Sequence, residues 1–276
     1  MINDTLIELG KSVGKILPFI GIGLFFSAIL IVVCLLISHN GKGQVPLQRQ
    51  ELSHILIVLG SGGHTAEMFR MMSHGHALFD KRTHRTYVVT SGDHLSADKA
   101  ATFENEMKPG GSFSVVTIPR ARKVHQSYLT APFSTIICFI SCMAVLIRKY
   151  PGQVKLSPRY HSIFPDLIVA NGPAVSLCMI IAAKIYRFFL FVGGSSWYKY
   201  PRLDTIYVES WTRTRSLSTT GLLVLPFADT FLVQWPQIAG RRAWWGMKRT
   251  IHAGWVVFDP NDFPKITEML AGRRLA

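Results

Sequence analysis

Cysteine is scarce in this 276-residue chain, and acidic residues are far fewer than basic ones. The four cysteines, Cys34, Cys138, Cys142 and Cys178, lie in apolar stretches, form no Cys-x-x-Cys pair and have no histidine at ligand spacing. A disulfide framework and a zinc site are thereby set aside. There is no Asp-x-Asp pair, no His-x-x-x-His and no acidic cluster fit for a divalent ion, so neither a metal nor another cofactor is expected. The chain also lacks the Gly-Lys-Ser or Gly-Lys-Thr ending of a P-loop and the Tyr-x-x-x-Lys of a nucleotide-binding oxidoreductase. Sixteen Asp and Glu against thirty Lys and Arg leave a formal charge of +14, so phosphates, anionic headgroups or acidic surfaces are better partners than basic ligands. An apolar content of 49% excludes a disordered chain.

Ile16 to Ile37 carries no charge. As a helix it would extend about 33 Å, against a hydrocarbon core of about 30 Å. Val32-Val33-Cys34-Leu35-Leu36-Ile37 stays bulky to its end, unlike a cleavage site, so residues 1–37 are read as an uncleaved single-pass membrane anchor. Lys11 and Lys15 before the span balance Lys42 and Arg49 after it, and the charge rule does not set its orientation. Residues 38–53, with Gly41, Gly43, Pro46 and three glutamines, read as a linker.

From residue 54 the pattern changes. His54 to Leu59 is a short, doubly buried strand that runs into Gly60-Ser61-Gly62-Gly63 and a helical stretch from about Thr65 to Met72. Further strands are expected at 85–91, 113–118, 166–170, 205–209 and 231–234, with a helix from about Leu95 to Met107. The alternation predicts an α/β fold: one Rossmann-like, doubly wound parallel sheet over 54–246. Residues 247–276 are left as a divergent tail. A second uncharged run, Val124 to Ile147, is not read as a span, because crossing the bilayer there would put strands of one sheet on opposite sides. Two readings of it stand: a helix packed on the sheet through a stripe of Ser127, Thr130, Ser134, Cys138 and Ser141 with its outer face in lipid, or a crossover helix buried all round.

Three features carry chemistry. Gly60, Gly62 and Gly63 let backbone approach a ligand, and the helix start beyond them presents free N–H groups to an anion, although a Gly-rich turn also serves tight packing. The third glycine of a dinucleotide fingerprint is replaced by Thr65. His64 stands at the helix start, where a neutral imidazole can act as general base. Glu67 lies one turn in, where a carboxylate also complements the helix dipole. Arg120-Ala121-Arg122-Lys123 follows the third strand, as a diphosphate clamp, a solvated loop or a patch on lipid headgroups.

The run Val58-Leu59-Gly60-Ser61-Gly62-Gly63-His64-Thr65-Ala66-Glu67-Met68 resembles the signature of the membrane-anchoring, acceptor-side subunit of the UDP-N-acetylglucosamine transferase that builds dolichol-linked oligosaccharide. The resemblance continues in order through Ser91-Gly92-Asp93 with Ser96 and Lys99, Ile118-Pro119-Arg120 with Gln126-Ser127, Asn171-Gly172-Pro173, Tyr207-Val208-Glu209-Ser210 and Val233-Gln234-Trp235-Pro236. It implies the N-terminal half of a two-domain (GT-B) glycosyltransferase, with the UDP-GlcNAc-binding catalytic subunit supplied as a second, soluble chain. The implied reaction is metal-independent, inverting transfer of GlcNAc to GlcNAc-diphospho-dolichol at the endoplasmic reticulum membrane, with the soluble domain facing the cytosol; nucleic acid is not among the partners. With strand order 3-2-1-4-5, the loops at Gly60–His64 and Asn171–Pro173 would face one cleft. The resemblance then implies an acceptor diphosphate bound by Gly60, Ser61, Gly62, Gly63, Asn171 and Gly172 with Arg120 or Arg122. His64 would be the base for the acceptor O4, with Glu67 as the other candidate. A non-catalytic scaffold that recruits the catalytic subunit is the competing expectation. The segment from Lys184 to Leu203 and the chain beyond Gly246 depart from the family pattern.

Overall fold

In a computed structural model the described residues are 53–73, 81–107, 110–122, 126–127, 130–157, 160, 162–172, 174–192, 203–244 and 247–254. The expected anchor over 1–37 and the linker up to residue 52 lie outside them, as do residues 255–276 of the expected tail. Among the described residues no helix is long and apolar enough to cross a membrane.

The elements are β1 (Ser53–Val58), α1 (Gly63–Ser73), β2 (Thr83–Thr90), α2 (His94–Met107), β3 (Ser112–Ile118), α3 (Ala131–Leu146), β4 (Leu167–Asn171), α4 (Ala174–Val192), β5 (Asp204–Val208), α5 (Thr219–Val224), β6 (Thr230–Val233) and β7 (Ile251–His252). They form one seven-stranded sheet in the order β3-β2-β1-β4-β5-β6-β7. All six pairings are parallel. The expected order 3-2-1-4-5 is present, and β6 extends it. β7 lies inside the segment expected as a divergent tail, so the sheet continues past residue 246. It is held there because Ala253 N–H donates to Val233 O (2.9 Å) and the Thr250 hydroxyl donates to Ile238 O (2.8 Å).

Strand residues alternate between two apolar layers. On one face Leu56, Val58, Val88, Ile118 and Ile168 pack against α3, α4 and α5, through Cys138, Cys142, Val145, Met179, Ala183 and Val224. On the other, Ile55, Ile57, Leu59, Tyr87 and Val89 meet Met68, Phe69 and Met72 of α1 and Ala100 and Phe103 of α2. β2 starts two residues before its expected position, because its polar first half finds partners. Arg85 forks onto Glu104 (2.6 and 2.9 Å), Tyr87 donates to the same carboxylate (2.6 Å), and His84 lies between the hydroxyls of Ser112 and Ser114 (2.8 and 3.0 Å).

The uncharged run yields α3, which has one buried face and one exposed face. Cys138, Cys142, Val145 and Leu146 are buried, whereas Phe133, Ile136, Ile137 and Ile140 are 55–70% exposed at helical spacing. That excludes burial all round. The hydroxyls of Ser134 and Thr135 tie the start of α3 to Ala121 O (2.8 and 3.0 Å).

Candidate active site

The central strands β1 and β4 pair with Val58 opposite Ala170, so the turns that leave their carboxyl ends emerge side by side. One turn is Gly60–Gly63, the other Asn171–Gly172. This is the switch point of the sheet, where β1 connects toward β2 and β4 toward β5. Gly62 has φ +64°, and Ser61, Gly62 and Gly63 are exposed at the start of α1. A Cβ at Gly62 or Gly63 would meet nothing within 4 Å, so the backbone there faces open space. The Thr65 hydroxyl donates to Gly60 O and meets Ser96 Oγ (2.7 Å), closing the turn against the start of α2.

His64 and Asn171 are in direct contact, Nδ1 to Oδ1, at 3.0 Å. Gly172, with φ +92°, lies flat against the imidazole, where a Cβ would stand 2.8 Å from His64 Cγ. The Tyr207 hydroxyl donates to Gly172 O (3.2 Å) and holds that loop. Behind His64 lies Glu67, whose side chain is 4% exposed against 37% for His64. Glu67 Oε2 is 3.5 Å from His64 Nδ1 and accepts from Asn171 Nδ2 (3.1 Å). Glu67 Oε1 accepts from the Trp211 backbone N–H (2.5 Å) and from Gln234 Nε2 (3.1 Å). Glu67 and its three donors come from α1, the end of β4, the loop after β5 and the end of β6.

The electrostatics follow. The interaction of Nδ1 with the Glu67 carboxylate raises the His64 pKa above its ordinary value, against the lowering effect of burial, and Asn171 and Glu209 add to the rise. Burial opposes ionisation of Glu67, yet His64, the Trp211 amide and Asn171 together hold its carboxyl below the usual range. Glu67 is therefore an anion at neutral pH, and its charge strengthens the proton affinity of the His64 imidazole beside it.

The two arginines stand on a separate branch. Arg120 follows β3 beside the turn at Gly92, where a Cβ would be 3.9 Å from its Nη2, and its Nε is buried without a hydrogen-bond partner. Arg122 is exposed and donates to Gln126 O (3.0 Å). The geometry thus joins Gly60–His64, Glu67, Asn171 and Gly172 in one constellation and leaves Arg120 and Arg122 outside its hydrogen bonds. The Asn171 side chain, expected toward a diphosphate, is turned inward onto His64 and Glu67. Sequence reasoning gave Gln234, Trp211 and Tyr207 no role in the site, although Tyr207 and Gln234 stand in two of the motifs that carry the resemblance.

The family model described as oligosaccharide biosynthesis protein Alg14 like matches residues 55–254. Among curated proteins the chain is similar to UDP-N-acetylglucosamine transferase subunit alg14 of Aspergillus fumigatus, at 43% identity over 212 residues, covering 63% of this chain and 93% of that one. The subunit of the same name from Schizosaccharomyces pombe is 32% identical over 216 residues, covering 77% of this chain and 91% of that one. That of Homo sapiens is 31% identical over 197 residues, covering 69% and 78%. Among solved structures the crystal structure of Acinetobacter baumannii MurG aligns with a TM-score of 0.44 at 12% identity, covering 73% of this chain and 45% of that one.

Proposed function

The chain belongs to the Alg14 family, and from that premise we propose that it is the acceptor-side subunit of a UDP-N-acetylglucosamine transferase, acting on GlcNAc-diphospho-dolichol. The observation that carries this reading is the open Gly60–Gly63 turn beside His64, itself backed by an ionised Glu67 at the switch point of the sheet. A diphosphate suits the free N–H groups and positive end of α1. Arg120, whose guanidinium lies beside the Gly92 turn after β2, adds positive charge at the same end of the sheet.

His64 accepts the proton of the acceptor O4 as that oxygen attacks C1 of the donor GlcNAc. The C1–O bond to UDP breaks with its electron pair leaving on UDP, and the anomeric configuration inverts. The relatives are named as a subunit of the transferase, which supports placing the UDP-GlcNAc site on a soluble partner subunit, with the chain alone inactive. Residues 1–37 anchor the protein in the endoplasmic reticulum membrane with the sheet on the cytosolic side. The exposed apolar face of α3 lies toward the bilayer, where the dolichol tail departs.

The test is GlcNAc transfer by the purified full chain with and without its co-purified soluble partner. The expected result is turnover only by the pair, lost about 10²- to 10⁴-fold on His64→Ala with acceptor affinity retained. Robust turnover by the partner-free chain would refute the division of labour. Turnover of the His64→Ala pair within about twofold of wild type would refute the base and favour a scaffold.

A further inference from the structure

We propose that Glu67 is the positioning residue of His64, acting through the side-chain amide of Asn171 to hold the imidazole as the Nδ1–H tautomer. The proposal deepens the assignment of His64 as base and rests on it. Both Glu67 oxygens are engaged: Oε1 by the Trp211 N–H and Gln234, Oε2 by Asn171. With its side chain 4% exposed, Glu67 offers no oxygen to an acceptor hydroxyl and is excluded as the proton acceptor itself.

Its effect on His64 is directional. A carboxylate only accepts, so Asn171 must turn its Nδ2 toward Glu67, as the 3.1 Å contact records. Asn171 Oδ1 then faces His64 Nδ1 at 3.0 Å and accepts a proton from it. The remaining ring nitrogen, Nε2, carries the lone pair a base needs. The charge of Glu67 thus reaches Nδ1 directly at 3.5 Å, while the choice of tautomer is relayed through an amide that has one permitted orientation.

Glu67→Gln tests this, because the shape is kept and the rule of acceptors is broken. The Trp211 N–H and Gln234 Nε2 both donate to the Oε1 position, so the glutamine keeps its oxygen there and points its NH₂ at Asn171. Asn171 must flip to accept, and its Nδ2 then donates to His64 Nδ1. The imidazole becomes the Nε2–H tautomer and loses its base. In the double variant Glu67→Gln/Asn171→Asp the new carboxylate accepts from both neighbours and restores Nδ1–H.

The experiment uses the full chain in detergent with ¹⁵N-labelled histidine, His64 being identified by its loss in His64→Ala, together with turnover of the assembled pair. We expect Nδ1–H in the wild type and Nε2–H in Glu67→Gln. Turnover should fall roughly 10- to 100-fold in the single variant with the acceptor KM changed less than twofold, and recover at least tenfold in the double variant. Should the single variant fail to fold, the double variant decides alone. Nδ1–H with retained turnover supports the proposal, and Nε2–H overturns it. An unchanged Nδ1–H tautomer in a folded Glu67→Gln protein also overturns it. The tautomer is read without turnover, so a failure of His64 as base would appear separately, as an active His64→Ala pair.

Discussion

Gly172→Ala is the substitution with the sharpest expected outcome. A methyl at this position would lie 2.8 Å from His64 Cγ, 3.0 Å from Cδ2 and 3.2 Å from Cβ, where ordinary contacts begin at 3.4 Å. The loop cannot retreat freely, since Gly172 O is held by the Tyr207 hydroxyl. The imidazole must therefore yield, by about 0.6 Å at its nearest atom, and its bond to Asn171 loosens. A misplacement approaching 1 Å at a reacting group costs on the order of 10²-fold in rate, so a fall of about 10- to 100-fold, or about 1.4–2.7 kcal/mol of barrier, is expected. Backbone strain adds a second effect, because an alanine at φ +92° costs about 1–3 kcal/mol of stability. Gly152→Ala separates the two: φ is +78° and nothing lies within 4 Å of the added methyl, so it carries strain alone. Thermal unfolding of the full chain and GlcNAc transfer by the reconstituted pair are measured for both variants. Similar losses of stability with a rate deficit confined to Gly172→Ala are the expected pattern. Equal rates in the two variants would refute the argument that His64 must lie against Gly172.

Three further outcomes follow from features away from the Gly-rich turn. Lys184 is 3% exposed and donates to Asp229 (2.5 Å), which also binds Arg187 (2.8 Å) and the Thr205 N–H (3.0 Å). Asp229→Asn removes the negative charge that faces the buried lysine and should cost about 3–5 kcal/mol in denaturant unfolding, whereas Lys184→Met/Asp229→Asn, which removes the buried positive charge as well and keeps an acceptor for Thr205, should cost less. His84 is lowered to about 4 by burial, with Arg148 and Arg85 adding to the effect. The unfolded chain binds a proton below about pH 6.5 that the folded one refuses, so stability should fall by up to about 3 kcal/mol as pH drops toward 4, and Tm between pH 7 and 5 should fall less steeply in His84→Gln. Ile136→Asn/Ile140→Asn changes side chains 55% and 61% exposed and should leave unfolding unchanged. It should raise KM several-fold for a long-chain acceptor in vesicles but not for a short, water-soluble one; equal KM changes for both acceptors would remove α3 from the membrane contact.

The sheet was legible because its strands are short apolar runs buried on both faces, which fixes type and order through the right-handed crossover rule. The nearness of His64 to Asn171 was legible for the same reason, since neighbouring central strands place their turns together. The inner partners of the site were not. A Glu one turn into a helix already has an explanation in the helix dipole, and nothing local marks Glu67 as the meeting point of Asn171, Trp211 and Gln234. Start positions failed where polar residues are satisfied at a distance, as with His84 on β2. The two-residue β7 has too short a pattern to read, and its place depends on Thr250 and Ala253 finding carbonyls across the sheet edge.

The span of chain that meets at Glu67 has a consequence for biosynthesis. Its donors lie 104, 144 and 167 residues further along the chain, the last of them at the end of β6. During synthesis from the amino end, α1 and its Gly-rich turn are complete long before Gln234 leaves the ribosome. Until then the Glu67 carboxylate lacks its last donor, and β5 has no complete neighbour on its far side. A nascent chain would thus display the loop without a formed His64 constellation. On the role proposed for His64, chemistry at the loop begins only when nearly the whole sheet is in place, so a truncated or stalled product is inert by construction rather than by surveillance.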